Sequence, residues 1–468
     1  MKSLASFISE GPEEKKKDKL RVLVVSKKEE DGKLSRTAQR ISDEGKKLKH
    51  EVFVVDIDGA YITYEDDTYR IYNITENTGF DINSNDTIAI IRGSVKLKSS
   101  YLDLLSQLEK IGICMINSRE TVGICADKYR TYLKLQEYGL TQPKTSLIAN
   151  ADHKDVAFEK LDTKYPLIMK TLSGTKGVGV LFVESERSYD SLVQLLYHQN
   201  PDVDLIIQEY IKTEKDIRVI VLGGLIVAAM ERKEIEGDFR SNVSQGGKVA
   251  NYKLTDLEKE QCLLASKAVN GVWTAVDFIP SEKPETKPPY ILEVNHSPGT
   301  EGIEEASGEN IVKQVIQHFE VVDNRIRVPE QCGYYEIVRI EPFGKMVAKF
   351  DTGNSSRPVI HATDVKVKNG NITFTHNGTT HTTKHYGKYT TVTGAGEDVR
   401  WIVEFAMEFA GTIYPEIRFG LDNREDLSSD VLLNREIMSR INVMVNPRRK
   451  YVVTAKIGVD KWKHTKTF

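Results

Sequence analysis

Three oxygen-bearing side chains in two apolar segments are the strongest candidates for chemistry. Asp277 lies inside TAVDFIP (274–280), and Glu293 and Asn295 lie inside YILEVNH (290–296). Because side chains alternate along a strand, Glu293 and Asn295 point to the same face. Unpaired carboxylates are costly to bury, and hard oxygen ligands of this kind bind Mg²⁺. The pattern therefore predicts a magnesium site, with a charged surface strand as the alternative.

A glycine-rich loop could hold phosphate groups near these oxygens. The segment SGTKGVGV (173–180) contains Gly174, Gly177 and Gly179 directly after an apolar run. Glycines allow a backbone to close over a polyphosphate and present its N–H groups. The loop lacks the G-K-[ST] ending of a Walker motif and the G-x-G-x-x-G order of a dinucleotide fold, so a plain glycine turn remains an alternative.

Two lysines and one apolar strand could complete a nucleotide site. Lys170 ends the predicted strand before the glycine loop, and Lys128 lies in a predicted helix. Both could neutralise phosphate charge, although a solvated lysine is the commoner case. The apolar segment IIQEYI (206–211) breaks into polar residues, so its backbone could contact an adenine, with an ordinary core strand as the alternative.

The predicted elements that position these groups form two regions that differ in the order of their strands and helices. Strands alternate with helices over residues 20–120, after a charged tail (1–19) predicted to be flexible, and this alternation predicts a parallel α/β domain. Predicted strands there are 20–26, 51–58, 86–93 and 113–118, and predicted helices are 36–50 and 100–110. The mixture of predicted strands and helices over residues 121–322 predicts an α+β domain, with a hairpin about Gly223 and Gly224.

The rest of the chain and its composition limit the classes of protein that fit. A polar linker is predicted at 323–333 and a mainly β domain at 334–468. The chain has 468 residues, and its net charge of -3 is too small to indicate that the chain binds nucleic acid or a membrane. Four cysteines without C-x-x-C spacing, and the lack of an 18-residue apolar run, predict a cytoplasmic protein.

The order of the motifs along the chain resembles that of the ATP-grasp ligases. Among these enzymes it most resembles the RimK-type ligases, which add glutamate to the C-terminus of a ribosomal protein. The matching motifs are QEYIK, DIRV, EGDFRSN with Gly-Gly four residues later, AVDF and LEVNHSPG-x-x-GIE. The resemblance covers residues 20–320 approximately. It implies an ATP-grasp fold, α/β and α+β in class, with the parallel α/β domain at its N-terminus.

Family roles can be carried over to the matching residues. ATP binding is implied for Lys128, Lys170, Gly174, Gly177, Gly179, Glu209, Tyr210, Ile211 and Asp216. Two Mg²⁺ ions, for which Mn²⁺ could substitute, are implied at Asp277, Glu293 and Asn295. An acyl phosphate and the incoming substrate would face Arg218, Arg240, Ser241 and Asn242, with Arg240 and Arg218 in catalytic roles.

The resemblance also implies a reaction. A carboxylate attacks the γ-phosphate of ATP, and an amine then attacks the acyl phosphate, so that catalysis consists of positioning and electrostatics. The implied acceptor is a protein or peptide carboxylate, a ribosomal protein among the candidates, and the implied assembly is a homo-oligomer. Family members carry a His-Arg pair before the Gly-Gly, whereas this chain has Ser244 and Gln245, which weakens the case for glutamate.

The last domain contains an Asp-Thr-Gly triplet. Asp351 follows an apolar strand in KMVAKFDTGNSSRPVIHA (345–362), and this segment resembles the retropepsin-like domains associated with RimK systems, some of them labelled ATP-dependent zinc proteases. An aspartic protease needs two carboxylates that share a proton, so a single triplet requires a homodimer that pairs Asp351 with its copy. Asn354 follows the triplet where family members often have Ala.

Half of the ten histidines lie in this last domain: His361, His376, His381, His385 and His464. The H-x-x-x-H spacing at 381–385 lacks the Glu of a zincin, so strand histidines are favoured over zinc ligands. Three hypotheses follow for the whole chain. The leading one is an amino-acid ligase with a trimming or recruiting domain, the second is a peptidase regulated by a nucleotide-binding module, and the third is a non-catalytic binding module.

Overall fold

A computed structural model describes residues 19–28, 32–66, 68–74, 77–92, 99–172, 179–233, 249–325, 327–393 and 396–454. The chain divides into two compact units, Met1–Arg327 and Val328–Phe468. The boundary predicted between residues 120 and 121 lies inside the first unit and stays a prediction. In the described parts of the chain, the helices are too short or too polar to cross a membrane.

A parallel sheet begins the first unit. Its segment of the chain contains β1 (Arg21–Ser26), α1 (Arg36–Lys47), β2 (Glu51–Asp56), β3 (Ala60–Glu65), β4 (Thr68–Asn73), β5 (Thr78–Ile82), β6 (Thr87–Arg92), α2 (Ser99–Ile111), β7 (Cys114–Ile116) and α3 (Arg119–Cys125). Strands β2, β1, β6 and β7 pair in that order and in parallel, which confirms the predicted arrangement. Strands β3, β4 and β5 form a separate antiparallel sheet that the sequence pattern did not predict.

Two antiparallel sheets follow in the same unit. The elements are α4 (Lys128–Glu137), β8 (Thr145–Ile148), α5 (Lys154–Leu161), β9 (Leu167–Thr171), β10 (Val180–Val183), α6 (Glu186–Gln199), β11 (Leu205–Glu209), β12 (Lys215–Leu222), β13 (Leu225–Lys233), β14 (Val249–Asn251), α7 (Asp256–Ala268), β15 (Trp273–Ile279), β16 (Tyr290–Asn295), α8 (Glu301–Ser307) and α9 (Ile311–Glu320). One sheet has the order β10-β9-β11-β8 and the other the order β14-β13-β12-β15-β16.

The five-stranded sheet is apolar on both faces. One face packs beneath α7, with Val219, Val276 and Phe278 fully buried. The opposite face places Ala275 and Trp273 in the cluster that includes the core of β1 and β6. Because every residue of β15 is buried, a charged side chain on this strand must find a partner within the protein.

The predicted hairpin about Gly223 and Gly224 is confirmed, since Leu222 pairs with Leu225. Both glycines have positive φ angles of 57° and 78°, as a tight turn between paired strands requires. A register shift between Ile220 and Val221 then moves the remaining pairs by one residue. The shift decides which side chains face each other farther along β12 and β13.

The second unit consists mainly of strands, as predicted. Its elements are β17 (Glu330–Gly333), β18 (Tyr335–Ile340), β19 (Gly344–Phe350), β20 (Val359–His361), β21 (Thr363–Lys368), β22 (Asn371–His376), β23 (Thr379–Thr393), β24 (Gly396–Phe409), β25 (Thr412–Asp422), β26 (Val431–Leu433), α10 (Arg435–Arg440) and β27 (Val443–Asn446). Nine of these strands form one sheet. Within it, β26 lies between β19, to which it is parallel, and β20, to which it is antiparallel.

Candidate active site

A bidentate ion pair joins the two middle strands of the five-stranded sheet. Arg218 on β12 lies directly opposite Asp277 on β15. The Arg218 Nε donates to Asp277 Oδ1 at 2.7 Å, and its Nη2 donates to Oδ2 at 2.5 Å. Bidentate pairs of this kind are charge-assisted and hold both planar groups in one orientation. The two predicted site residues therefore meet, and each fixes the other.

A second arginine extends this pair into a network. Arg232 on β13 brings its Nη2 within 3.0 Å of Asp277 Oδ2, and it forms a bidentate pair with Asp216, in which Nε donates to Oδ1 at 2.8 Å and Nη2 donates to Oδ2. Sequence reasoning missed Arg232. The register shift in the hairpin is what sets it opposite Asp216. The Asp216 carboxylate, which the family resemblance implies in ATP binding, is thus engaged by an arginine.

The charges in this network displace the pKa values of its carboxyl groups in opposite directions. Burial alone would raise the pKa of Asp277, but the positive charges of Arg218 and Arg232 outweigh it and hold the pKa below its ordinary value. Burial, followed by the negative charge of Asp277, raises the pKa of Glu293. Asp277 is therefore held as the anion. For Glu293, the nearby positive charges do not outweigh burial and the charge of Asp277.

The predicted magnesium ligands do converge, but they differ in availability. Glu293 is the register partner of Asp277, and Asn295 lies two residues farther along β16. The side chain of Asp277 is 4% exposed and engaged by arginines, whereas that of Glu293 is 46% exposed and lies 4.0 Å from Arg218 Nη2. Asn295 accepts a hydrogen bond from the Ser297 N–H at 2.9 Å. The carboxylate of Glu293 and the amide oxygen of Asn295 are suitable for Mg²⁺, and Asp277 would have to share its oxygens with the arginines.

Lys170 and Lys128 lie near these carboxylates. Burial lowers the pKa of Lys170 to about 8, with an opposing contribution from the charge of Glu293. Burial likewise lowers the pKa of Lys128, again opposed by Glu293, and its Nζ lies 3.4 Å from the Leu172 carbonyl oxygen. The two lysines therefore share the field of one carboxylate, as expected for groups that neutralise phosphate.

The glycine loop is described only at its end. Gly179 has φ 82°, and its carbonyl accepts a hydrogen bond from the Thr171 N–H at 3.0 Å. A Cβ atom there would collide with the hydroxyl of Thr171, so the position requires glycine. Gly174 and Gly177 lie outside the described residues.

The residues predicted to border an adenine lie at the end of β11 and directly after it. Glu209 exchanges hydrogen bonds with Lys144: its Oε1 accepts from the Lys144 N–H at 2.9 Å, and its N–H donates to the Lys144 carbonyl at 3.0 Å. The ring of Tyr210 meets the edge of Phe182 with centroids 5.1 Å apart. Ile211 is partly exposed next to it.

The substrate side of the predicted site lies largely outside the described residues. This applies to Arg240, Ser241 and Asn242, and to Ser244 and Gln245. Their roles therefore stay predictions.

Comparison with known proteins identifies the family. Residues 125–319 match the model of the RimK-like ATP-grasp domain. Over 289 residues, the chain is 32% identical to a probable alpha-L-glutamate ligase of Psychromonas ingrahamii, an alignment that covers 61% of this chain and 91% of that protein. The chain belongs to the RimK-like ATP-grasp ligases. It is accordingly an ATP-dependent ligase that joins a carboxylate to an amine.

One further relative and one solved structure are also similar to this chain. A probable alpha-L-glutamate ligase of Methanococcoides burtonii is 31% identical over 288 residues, which cover 61% of this ligase and 91% of that protein. The solved structure of the macrocyclase MdnC from Microcystis aeruginosa, bound with precursor peptide MdnA, covers 65% of this ligase at 15% identity with a TM-score of 0.49. The family assignment rests on the sequence relatives.

The RimK-like ligase carries Asp351 in its second unit, beyond the residues matched by the family model. The Asp351 Oδ1 accepts a hydrogen bond from the Gly353 N–H at 2.9 Å, which closes a tight turn after β19. The backbone N–H of Asp351 donates to the Leu433 carbonyl at 3.0 Å, so the turn is tied to the end of β26. The predicted catalytic carboxylate therefore lies in an ordered turn between two strands.

The described histidines of this unit are held by structural contacts. His361 Nδ1 accepts from the Arg424 N–H at 2.9 Å, and His376 Nδ1 lies 2.8 Å from the His361 carbonyl oxygen. His381 packs against Phe343, and His385 packs edge-on to Trp401. His464 lies outside the described residues. Among the residues that the structure describes, no group of three or more His, Cys, Asp or Glu side chains is arranged to hold a metal.

One further residue near the site was not singled out from the sequence. Asn117 is fully buried after β7, and its Nδ2 donates to the carbonyls of Trp273 and His296, both at 2.7 Å. Its Oδ1 accepts from the N–H groups of Val272 and Trp273 at 2.7 and 3.1 Å. Asn117 therefore links the start of β15 to the end of β16, next to the candidate magnesium ligands. An amide directly after an apolar strand was the available sequence signal.

Proposed function

We propose that this ligase adds an amino acid, with glutamate as the leading candidate, to the carboxylate of a protein or peptide. The observation that carries the proposal is the Arg218–Asp277–Arg232 network beside Glu293, Lys128 and Lys170. It combines fixed positive charge with a carboxylate that is open to a cation. The names of the relatives, probable alpha-L-glutamate ligases, support glutamate as the amino acid.

The proposed reaction has two steps. The acceptor carboxylate attacks the γ-phosphorus of ATP, which forms an acyl phosphate and releases ADP. The amine of the incoming amino acid then attacks the acyl carbon, loses a proton, and inorganic phosphate leaves. Neither step requires a protein nucleophile, and the serine, cysteine or histidine of a covalent mechanism is not needed.

Residues of this chain supply charge and orientation for both steps. Lys128 and Lys170 would neutralise the phosphates of ATP as positive charges. Arg218, held by Asp277, and Arg240 would stabilise the charge on the phosphoryl group as it is transferred. Lys128 and Lys170 are both largely removed from water, and a contact with a phosphate is stronger there than it would be in water.

Glu293 and Asn295 would hold Mg²⁺, together with one oxygen of Asp277. The ion would neutralise and orient the phosphates. The raised pKa of Glu293 fits this role, because a bound cation would compensate the negative charge that burial and Asp277 disfavour. The half-exposed side chain of Glu293 leaves an oxygen face open to the ion.

The experiment supplies ATP, Mg²⁺, a panel of twenty amino acids and candidate acceptor proteins and peptides. Intact-mass spectrometry detects the added residues, and ADP and phosphate are measured in the same samples. The matched pair of variants is Lys128→Met and Lys134→Met, since both lysines lie on α4 and Lys134 forms only an exposed pair with Glu137. Amide product with the wild type and Lys134→Met, and its loss in Lys128→Met, supports the proposal; absence of amide product from every combination with the wild type rejects it.

A second candidate activity is peptide hydrolysis by the second unit, proposed as a retropepsin-like domain. The observation that favours it is β26 lying between β19 and β20, with the Asp351 turn tied to Leu433. A homodimer that pairs two copies of Asp351 would supply the second carboxylate. Hydrolysis of peptide libraries that disappears in Asp351→Asn, while ligation continues, supports this activity; equal hydrolysis by both proteins excludes it.

A further inference from the structure

Arg92 is a buried cation with unused hydrogen-bonding capacity. It ends β6, is 4% exposed, and donates from Nη2 to the Pro298 carbonyl at 2.9 Å. Its guanidinium lies over the ring of Trp273, 5.1 Å from the centroid. Within the described residues, its Nε and Nη1 have no hydrogen-bond partner. Buried donors in native proteins are rarely left in this condition.

Two further nitrogens near Arg92 are in the same condition. The indole Nε1 of Trp273 and the imidazole Nδ1 of His296 are buried, and they too find no hydrogen-bond partner in the part of the chain that the structure describes. Asn117 connects these two residues by hydrogen bonds to their backbone carbonyls. Arg92 lies over the Trp273 ring and its charge acts on His296, so buried nitrogens without a described partner on these three side chains indicate an acceptor supplied from outside the chain.

The charge of the site favours an anion. Burial lowers the pKa of Arg92 to about 10, with an opposing contribution from Glu301. Glu301 Oε1 accepts a hydrogen bond from the Thr37 hydroxyl at 3.0 Å, so that carboxylate is already engaged. A buried guanidinium without a bonded anion is unfavourable, and its planar fork matches the two oxygens of a carboxylate.

The position of the site relative to the candidate magnesium ligands suits a small substrate. Trp273 and Asp277 are four residues apart on β15 and point to the same face, which separates them by about 13 Å. Asp277 therefore lies on the same side of the sheet as the Trp273 indole, farther along the strand. Glu301 also lines an adjacent cavity of about 580 Å³, with Lys33, Arg36 and Arg40 on its walls.

We propose that Arg92, Trp273 and His296 form a subsite for a carboxylate of the incoming amino acid, which enters from this cavity. The inference deepens the proposed function, on which it rests, by naming what holds the amine-bearing substrate. Arg92 donates to the carboxylate from Nε or Nη1, neither of which has a hydrogen-bond partner among the described residues. The two ring nitrogens orient the same group, so that the amine points toward the acyl phosphate.

The test uses the full chain and two methionine variants, Arg92→Met and Arg325→Met. Arg325 is the matched control because it is also buried, but its guanidinium donates to the carbonyls of Phe319, Asn85 and Glu320. Thermal unfolding is followed with and without glutarate, a dicarboxylate that lacks an amine, and with the neutral glutaramide. We expect an unchanged or higher midpoint for Arg92→Met and a lower one for Arg325→Met, since only Arg325 satisfies several buried carbonyls.

Glutarate should raise the midpoint of the wild type and of Arg325→Met, but not that of Arg92→Met, and glutaramide should raise none. In ligation assays, Arg92→Met should increase the KM for the amino acid by about tenfold or more, the effect of a lost charged hydrogen bond, and leave the KM for ATP unchanged. A glutarate response that persists in Arg92→Met, an absent response in the wild type, or a midpoint of Arg92→Met as low as that of Arg325→Met overturns the subsite. An Arg92-dependent glutarate response in a wild type that ligates no amino acid keeps the subsite and rejects the proposed function.

Discussion

Arg218 and Asp277 hold each other across two central strands, with nitrogen–oxygen distances of 2.7 and 2.5 Å. The side chain of Asp277 is almost fully buried, and the side chain of Arg218 is 16% exposed. The aspartate therefore orients a guanidinium whose Nη2 also lies 4.0 Å from Glu293 Oε1. An arginine held in this way can stabilise developing charge without first paying the entropy of its own ordering.

Replacing Arg218 with methionine should impair the chemical step more than nucleotide binding. We expect kcat for ligation to fall by about 100-fold or more, the scale seen when one preorganised donor to a transition-state charge is removed. The dissociation constant for ATP should change much less. Steady-state assays of ADP release and calorimetric titration with ATP measure the two quantities.

Arg187→Met is the control for this substitution, because Arg187 is an exposed residue of α6. It should leave both quantities unchanged. If Arg218→Met weakens ATP binding as much as it lowers kcat, Arg218 acts in ground-state binding and the predicted role in phosphoryl transfer is wrong.

Lys170 should make ATP binding sensitive to mildly alkaline pH. Its pKa of about 8 is lowered by burial, so the unliganded protein loses this positive charge at a pH where ordinary lysines keep theirs. ATP affinity should decrease as the pH rises through about 8 and beyond. The stability of the unliganded fold should respond in the opposite direction, because from about pH 8 up to the ordinary lysine pKa the unfolded chain binds more protons than the folded one.

Lys170→Met removes the titrating group and Lys170→Arg keeps a permanent charge, so both variants should flatten the pH dependence of ATP affinity. Lys170→Arg should retain more of the affinity. Equilibrium binding of ATP between about pH 6.5 and 9.5, on both sides of the Lys170 pKa of about 8, provides the measurement. An unaltered pH profile in both variants would assign the effect to another group.

Glu293→Gln should weaken Mg²⁺ binding without lowering the stability of the fold. The pKa of Glu293 is raised by burial and by Asp277, so its charged form destabilises the metal-free fold at neutral pH, and this destabilisation is relieved as the pH falls through the raised pKa. The neutral variant should therefore unfold at the same or a higher temperature without Mg²⁺. It should also need more Mg²⁺ for activity, by about tenfold or more, since one anionic ligand is lost.

Thermal unfolding and activity, each as a function of Mg²⁺ concentration, check this expectation. Glu214→Gln is the matched control, because Glu214 is exposed on the loop before β12. A Glu293→Gln protein with unchanged Mg²⁺ dependence would remove Glu293 from the set of predicted ligands.

The shared face of Glu293 and Asn295 was accessible from sequence because it depends on strand period alone. That Asp277 lies opposite Glu293 depends on the pairing of β15 with β16, which strand period does not determine. Lys128 and Lys170 were singled out as lysines that could neutralise phosphate, and the structure brings both into the field of Glu293. The order of the sequence motifs indicated the ligase family.

The arginine network was not accessible in this way, because it depends on a register shift. A regular hairpin from the Leu222–Leu225 pair would set Asp216 opposite Glu231, two acids facing each other. The shift at Ile220 sets Arg232 there instead. Side-chain periodicity does not show where one extra residue is inserted into a strand. The repulsion between Asp216 and Glu231 in the regular pairing is itself a reason for the shift. The Arg92 donors that have no partner among the described residues could likewise not be predicted, since they depend on contacts between distant segments.

Glu336 should be essential to the stability of the second unit. This fully buried carboxylate accepts hydrogen bonds from the N–H groups of Gly333, Val452 and Thr454 at 2.6, 2.8 and 3.0 Å. Because Glu336→Ala leaves several buried donors unpaired, we expect its free energy of unfolding to fall by about 3 kcal/mol. The exposed Glu341, paired with Arg339, is the control, and Glu341→Ala should cost at most about 1 kcal/mol. Chemical denaturation of both variants measures the difference, and equal losses would show that the Glu336 contacts stabilise the unit no more than a surface ion pair does.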